Sequence, residues 1–407
     1  MKTVSVTFII SLLAVAIIVI TISGPAFAQD ETLTVTLTGQ SMIRSDIRAT
    51  APEAVPAIQS LLTGDVIFTN LEATVAEKGE QGTWFVTPPE ALDSLTRFGF
   101  NLLSLSNNHA FDFDVTGLEN TLREADKRNI AHAGTGNTIA EASAPAYLAT
   151  PNGTVALVAS ASGLIDDGAR ATERGPGVNE LRIEAGDRQN EATDELPDSP
   201  ANMPNREDAQ RILQNIRSAR AHADIVIVYQ HNHVFGHKSF EAIFKEGLPE
   251  RLAPSDWLMQ WTHAEIDAGA DIVVMHGAPL LHGVEVYRGK PIFYDLGNFI
   301  FNVPPVMTSI QEPMTWESVV AYLKFQGNQL KSITLRPITL NAIGRGEPDL
   351  KDVSANNQFL DTRGLPSAAT GMKATDILQR VADASKPFRT DIVLRGDTAE
   401  IDLKGGN

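Results

Sequence analysis

Short apolar runs recur along the chain, separated by amphipathic stretches. The runs are Leu33–Thr38 (LTVTLT), Asp65–Thr69 (DVIFT), Phe100–Leu105 (FNLLSL), Val155–Ala159 (VALVA), Asp224–Tyr229 (DIVIVY) and Asp271–Met275 (DIVVM). Pro291–Tyr294 leads into a further run that reaches Phe301. Segments of four to eight residues rich in Val, Ile and Leu suit buried strands. Gly117–Arg128, Asp208–Ala221 and Pro254–Ala268 have helical periodicity and predict helices between the strands. This alternation predicts an α/β fold whose strands are covered on both faces.

Beyond Phe301 the pattern changes. Val319–Phe325 and Leu330–Ile338 predict paired strands around Gln326-Gly327-Asn328, Ala374–Ala384 a helix, and Asp391–Leu394 a strand. The chain thus divides into a body, residues 29–305, and a C-terminal α+β extension, residues 306–407, that completes the sheet or covers its edge. Residues 184–208 are polar and Pro-bearing, and predict a surface insertion; a solvated excursion suits that composition better than a lid.

The N-terminus carries a targeting pattern. Lys2 precedes an apolar run from Val4 to Ile22, and Ala26-Phe27-Ala28 fits a small-x-small cleavage site with Gln29 as the first mature residue. Residues 1–28 are therefore a signal peptide or, if retained, a membrane anchor, since roughly 20 apolar residues span a bilayer. Either way the expected location is periplasmic or extracellular, with membrane contact only through this segment if it is uncleaved.

Composition narrows the chemistry. The 407 residues include 33 Lys+Arg and 50 Asp+Glu, a formal net charge of −17, which argues against nucleic acid as a partner. Cysteine is absent, which removes disulfides, thiolate metal sites and Cys nucleophiles. No Gly-x-Ser-x-Gly elbow is present, and no Gly-x-Gly-x-x-Gly follows the first strand.

Polar residues gather where the predicted strands end. The first strand ends in Gly39-Gln40, the second in Asn70-Leu71-Glu72 and the third in Ser106-Asn107-Asn108-His109. A later strand ends in Gln230-His231-Asn232-His233, and the next in His276-Gly277, with His282 following. The carboxyl ends of parallel strands converge on one edge, and ligands bind there. Imidazoles, amides and a carboxylate at that edge predict a site for a divalent metal: Zn²⁺, Mn²⁺, Fe or Mg²⁺. A single His at a strand end is more often a hydrogen-bonded structural group; the coincidence at five ends carries the prediction.

These residues resemble the CapA family, named for capsule and poly-γ-glutamate synthesis. The resemblance rests on Asn70-Leu71-Glu72, on Asn107-Asn108-His109-Ala110-x-Asp112, and on Ala270–Val274 leading to Tyr287-x-Gly289-Lys290-Pro291-Ile292-Phe293-Tyr294-x-Leu296-Gly297-Asn298-Phe299-Ile300-Phe301. It covers roughly Leu33 to Phe301. It implies a layered α/β sandwich of the metallo-dependent phosphatase type, with a dinuclear metal site at the strand ends. It also implies that Asn108 and His109 are the metal- and phosphate-contacting pair, Glu72 the second-strand carboxylate, and His231 the single His after the fourth motif. The chain departs from the family in two places. Gly39-Gln40 stands where the family has Gly-Asp, and the family's paired histidines fall at Gly277 and Pro279.

Two adjacent cations need anionic ligands between them, and among the five strand ends only Glu72 is acidic, with Asp112 and Asp295 nearby. One metal, or a weak pair, is the expectation, with Glu72, His109, His231 and His276 as ligands and His282 as a further candidate. His233 is either the general acid for the leaving group or a hydrogen bond that steadies a ligand. Arg44 and Arg48, four apart after the first strand, are a substrate clamp if helical and solvated loop residues otherwise. Gln40 is a further substrate-binding candidate, and Asn108 offers its amide to a phosphoryl oxygen.

Two functions fit. The first is an exported metal-dependent hydrolase, acting on a small phosphoester or an exopolymer bond. The second is a non-catalytic component of exopolymer synthesis or export that binds polymer in the same cleft.

Overall fold

The computed structural model describes residues 32–76, 85–184, 202–235, 251–303, 312–346 and 358–403. The expected signal peptide or anchor, residues 1–28, and most of the 184–208 insertion lie outside the described residues. No helix among the described residues is long and apolar enough to cross a membrane.

Two sheets form the centre. The strands of the first include β1 (Thr32–Leu37), β2 (Val66–Asn70), β3 (Leu102–Ser104) and β4 (Ala131–Ala133), all parallel neighbours in that order. The second contains β5 (Ala146–Thr150), β6 (Gly153–Ser162), β7 (Ile225–Asn232), β8 (Ile272–His276), β9 (Val284–Tyr287) and β10 (Lys290–Phe293), in the order β9-β10-β8-β7-β6-β5. Here β6, β7 and β8 are parallel. The C-terminal strands β11 (Glu317–Gln326), β12 (Gln329–Leu340), β13 (Ile392–Arg395) and β14 (Thr398–Ile401) join the first sheet, β11 lying antiparallel to β1. The predicted strands are all found, with ends shifted by a few residues.

Alternation explains the layers. Side chains along a strand point to opposite faces in turn. Leu33, Val35 and Leu37 on β1, Ile225 and Ile227 on β7, and Ile272 and Val274 on β8 meet in the core between the sheets. Val226, Val228, Val273 and Met275 point the other way, under helices α3 (Arg206–Arg220) and α4 (Asp256–Ala268). On the far side, Ile67 and Leu103 face α1 (Glu90–Phe98), which buries Ala91, Leu92, Leu95 and Phe98. Helix α2 (Asp114–Lys127) follows the third strand, and α5 (Gly371–Ser385) packs beside the C-terminal strands. The result is the layered α/β sandwich that the resemblance implies: helices, sheet, sheet, helices.

The helices start where the chemistry allows. Asn205 caps α3 by accepting from the Glu207 and Asp208 amides at 3.1 and 3.2 Å. The helix α4 begins after Pro254-Ser255, and Gly269 ends it at φ 123°.

Candidate functional site: a relay across the two sheets

The strand β7 is longer than the apolar run suggests, because Gln230, His231 and Asn232 stay in register with Ser160, Ala161 and Ser162 of β6. Strand geometry therefore fixes their directions. Tyr229 lies in the core between the sheets, and His231, two residues on, continues that face into the site. Gln230 points the other way, donating to Ser162 Oγ at 2.9 Å and accepting from the Trp261 indole at 2.8 Å.

From the first sheet, the turn after β3 presents Asn108 and His109. Asn107 anchors this turn: its amide donates to Leu71 O at 2.8 Å, and its Oδ1 accepts from the His109 amide at 3.0 Å. A continuous chain of polar contacts results. Asp112 Oδ2 lies 2.9 Å from His109 Nδ1, and His109 Nε2 lies 3.0 Å from Asn108 Nδ2. Asn108 Oδ1 lies 2.9 Å from His231 Nε2, and His231 Nδ1 lies 3.2 Å from the Tyr229 hydroxyl. One set of protonation states satisfies every link: His109 donates from Nδ1 to Asp112 and accepts from Asn108, His231 donates from Nε2 to Asn108 and accepts from Tyr229. Phe85 lies over the His109 ring, with centroids 3.9 Å apart.

Glu72 faces this relay. Its Oε1 is 3.6 Å from His231 Nε2 and 4.0 Å from His109 Nε2, while its Oε2 is buried with no hydrogen-bond partner. Burial pushes the Glu72 carboxyl well above the usual carboxylate range, and the charges of Asp295 and Asp112 push it further. Burial drives His231 the opposite way, well below the ordinary imidazole range, helped by the neighbouring histidines.

Glu72, Asn108 and His231 are the residues here that would hold one divalent cation. Two ligands that each lie roughly 2.0–2.2 Å from a metal stand about 3–4 Å from one another. Glu72 Oε1, His231 Nε2 and Asn108 Oδ1 are linked by separations of 3.6 and 2.9 Å. The tautomer a cation needs, with the lone pair on His231 Nε2, leaves Nδ1–H free to donate to Tyr229. Among the described residues, no group of three or more His, Asp or Glu side chains is arranged to hold a metal. The expected five-residue set, Glu72, His109, His231, His276 and His282, is therefore not brought together. The fitting set contains an amide, Asn108, and His109 stands beside it as the partner of Asp112.

His276 and His282 are turned to a neighbouring cavity instead. His276 lies beside His231 in the β7–β8 register, but its Nε2 is 3.1 Å from Thr38 O. His282 Nε2 is bonded to Arg251 O. Burial depresses both imidazoles, to about 3 for His276 and about 4 for His282.

The other expectations divide. His233 is buried, its ring centroid 4.6 Å from that of His231, and burial lowers it to about 3, with the Gly277 backbone opposing slightly. Gln40 does reach the strand-end region, donating from Nε2 to Asn298 Oδ1 at 3.1 Å, with Oε1 buried and without a partner. Arg44 and Arg48 form no clamp. Asp46 caps the short helix Ile47–Thr50, so Arg44 precedes it and the spacing of four does not align the two. Arg44 is buried and its charge acts on Asp361 of the C-terminal extension. Arg48 pairs with Asp46 at 2.8 Å and Asp93 at 3.2 Å on the surface.

Two residues at the site were not among the sequence candidates. Tyr229 completes the relay, and its signal was present: Tyr229-x-His231-x-His233 is a period-two pattern within one strand. Phe85 carried no comparable signal. Asp295, a nearby acid by sequence, is buried and accepts from the Ala278 and Gly297 amides at 2.9 and 2.7 Å.

Comparison with known proteins gives a family and relatives. The sequence model of the family described as Bacterial capsule synthesis protein PGA_cap matches residues 34–303. The uncharacterized protein y4sH of Sinorhizobium fredii is 30% identical, over 83% of this chain and 86% of its own. The PGA biosynthesis protein CapA of Bacillus subtilis is 30% identical, over 53% of this chain and 46% of its own. A solved structure titled as a novel phosphatase from Mycoplasma pneumoniae is similar over 80% of this chain and 97% of that one, at 9% identity and a TM-score of 0.42.

Proposed function

The chain belongs to the Bacterial capsule synthesis protein PGA_cap family, and from that premise we propose that it is an exported hydrolase of exopolymer biosynthesis that uses one divalent cation held by Glu72, Asn108 and His231. The observation that carries this reading is Glu72. A buried carboxyl with one oxygen 3.6 Å from an imidazole nitrogen and the other without a partner is costly unless a cation answers it. When bound, such a cation supplies Lewis acidity and lowers the pKa of water.

The chain's own groups supply the rest. Asp112 fixes the His109 proton on Nδ1, so its Nε2 lone pair, which accepts from Asn108 here, is the position from which His109 would take a proton and return it to a leaving group. Asn108 steadies His109 through its Nδ2 end, while its Oδ1 faces His231. The Phe85 ring shields His109 from water. The substrate class is a phosphoester or a bond of an exopolymer, and export follows from the N-terminal targeting pattern. A relative named for PGA biosynthesis supports the polymer. The charge of −17 opposes long-range attraction of a polyanion, so short-range contacts must select it.

Metal analysis of untagged protein, joined to hydrolysis of p-nitrophenyl phosphate and its bis-ester, tests this reading. Wild type is expected to hold cation and hydrolyse, while Glu72→Ala and His231→Ala lose both. Unchanged activity in both variants overturns the proposal.

One observation favours the second reading, a non-catalytic polymer-binding component. The relay is complete without a cation, and Gln40 offers an amide where a carboxylate would anchor a metal. Metal-free, inactive wild type whose binding of poly-γ-glutamate weakens in His231→Ala would select it.

A further inference from the structure

Two buried side-chain amides at the strand ends are each satisfied at one end only. Gln40 Oε1 and Asn70 Nδ2 have no hydrogen-bond partner, on residues that are 2% and 0% exposed. Buried polar atoms are ordinarily satisfied, so the pair calls for an occupant.

Backbone anchors fix which end of each amide is left over. Asn298 Nδ2 donates to Thr315 O at 3.0 Å, which turns Asn298 Oδ1 to Gln40, and Gln40 Nε2 donates to that oxygen at 3.1 Å. Gln40 Oε1 is thereby presented as an acceptor. Asn107 is fixed at both ends, its Nδ2 donating to Leu71 O at 2.8 Å and its Oδ1 accepting from the His109 amide at 3.0 Å. The same Nδ2 reaches Asn70 Oδ1 at 3.2 Å, so Asn70 Nδ2 is presented as a donor. The two groups are neighbours. Gln40 stands opposite Asn298 where Gln40–Met42 runs parallel to Asn298–Phe301, and the parallel bridge of Ser41 with Leu71 puts Gln40 beside Asn70. Cross-strand neighbours share a face, with backbones about 5 Å apart. Glu72 follows Asn70 by two residues, so the pair borders the proposed centre.

One acceptor beside one donor argues against two occupants. A cation would meet the hydrogens of Asn70 Nδ2. A phosphate, whose peripheral oxygens are acceptors, would meet the lone pairs of Gln40 Oε1. A carboxamide answers both, with its N–H to Gln40 and its C=O to Asn70. We propose that Gln40 and Asn70 are specificity-determining residues that read an amide group of the substrate, so that the substrate class is an amide-linked chain and not a phosphoester. This rests on the reading of the cleft as a polymer site and narrows what that site takes.

The test is calorimetric binding of a γ-linked glutamate dimer and of its ester isostere, in which oxygen replaces the amide N–H. It uses untagged full-length protein, with circular dichroism as the control for folding. Wild type is expected to bind the amide about tenfold or more tighter than the ester, because the ester leaves Gln40 Oε1 facing another acceptor. Gln40→Met should bring the two within about twofold. Asn70→Ala should weaken both by about tenfold and keep the preference, since both probes carry the carbonyl. If Gln40→Met fails to fold, the wild-type preference and Asn70→Ala decide. Equal or absent binding of the two probes by wild type, a preference that survives in Gln40→Met, or wild-type affinities in Asn70→Ala overturn the proposal and mean that the two amides answer water or each other. Tighter binding of phenyl phosphate than of the amide overturns it as well. The hydrolase reading fails separately: the amide preference without turnover of the dimer or of p-nitrophenyl phosphate removes that reading and leaves this assignment standing.

Discussion

Two groups of histidines lie side by side at the ends of the same sandwich, and their surroundings differ. His109 and His231 are joined through side chains: Asp112, Asn108 and Tyr229 occupy their ring nitrogens. His276 and His282 are held through main-chain carbonyls on one nitrogen only, and the other is left without a partner in a cavity. The residue type is the same; the second nitrogen decides the chemistry. A ring tied at both nitrogens to movable side chains can shift tautomer and pass a proton. A ring tied at one nitrogen to a fixed carbonyl presents a permanent lone pair.

The strongest way to break this contrast is at the wall between the groups. Gly277 follows His276 at φ 134°, and a Cβ there would lie 2.1 Å from Asn232 O. Gly277→Ala is expected to cost about 3 kcal/mol or more in urea unfolding, since both the contact and the dihedral oppose it. A near-neutral result would mean that the wall yields, and that the two groups are not held apart.

A second expectation concerns the helix behind them. Glu265 on α4 is fully buried and has no hydrogen-bond partner on either oxygen, while the nearby Trp261 gives its N–H to Gln230. Burial pushes the Glu265 carboxyl up to about 8, offset only slightly by Trp261. The folded state thus keeps a proton that the unfolded chain releases near its ordinary value. Stability from this group is full below the unfolded pKa and falls as pH rises from about 4.5 toward 8. Glu265→Gln should remove that slope and stabilise the protein at pH 8 by about 2 kcal/mol, read from unfolding at pH 5 and pH 8. An unchanged slope would place the pH dependence elsewhere.

Asp112→Asn sharpens the contrast on the relay side. It keeps the shape but lets His109 adopt the other tautomer. A fall in kcat of about tenfold to a hundredfold is expected, with KM little changed. Urea unfolding should change by less than about 1 kcal/mol, and a larger loss would mean that the Asp112–His109 contact holds the fold rather than the chemistry.

The smallest effect belongs to Arg48, which lies in neither group. Its ion pairs with Asp46 and Asp93 are exposed, so Arg48→Ala should cost less than about 0.5 kcal/mol and leave hydrolysis unchanged. A clear loss of activity would restore it as a substrate contact.

The strands were legible because burial leaves a compositional trace: DIVIVY and DIVVM mark β7 and β8 without help from neighbours. The helix α1 escaped notice, being short and preceded by Pro88-Pro89. At the site, the convergence of Glu72, Asn108, His109 and His231 was readable from strand ends. The division among histidines was not. It depends on Thr38 O, 238 residues from His276 along the chain, and on Arg251 O, neither of which any motif marks. Arg44 and Arg48 misled because spacing of four has meaning only inside a helix, and the helix begins between them.

The Asn108–His231 hydrogen bond joins residues 123 positions apart, one from each sheet. A nascent chain that has delivered only β1 to β4 owns half of the proposed centre. On the proposed reading, the Asn108–His231 contact forms only when the two layers dock, and any event that pries them apart breaks it without altering either residue.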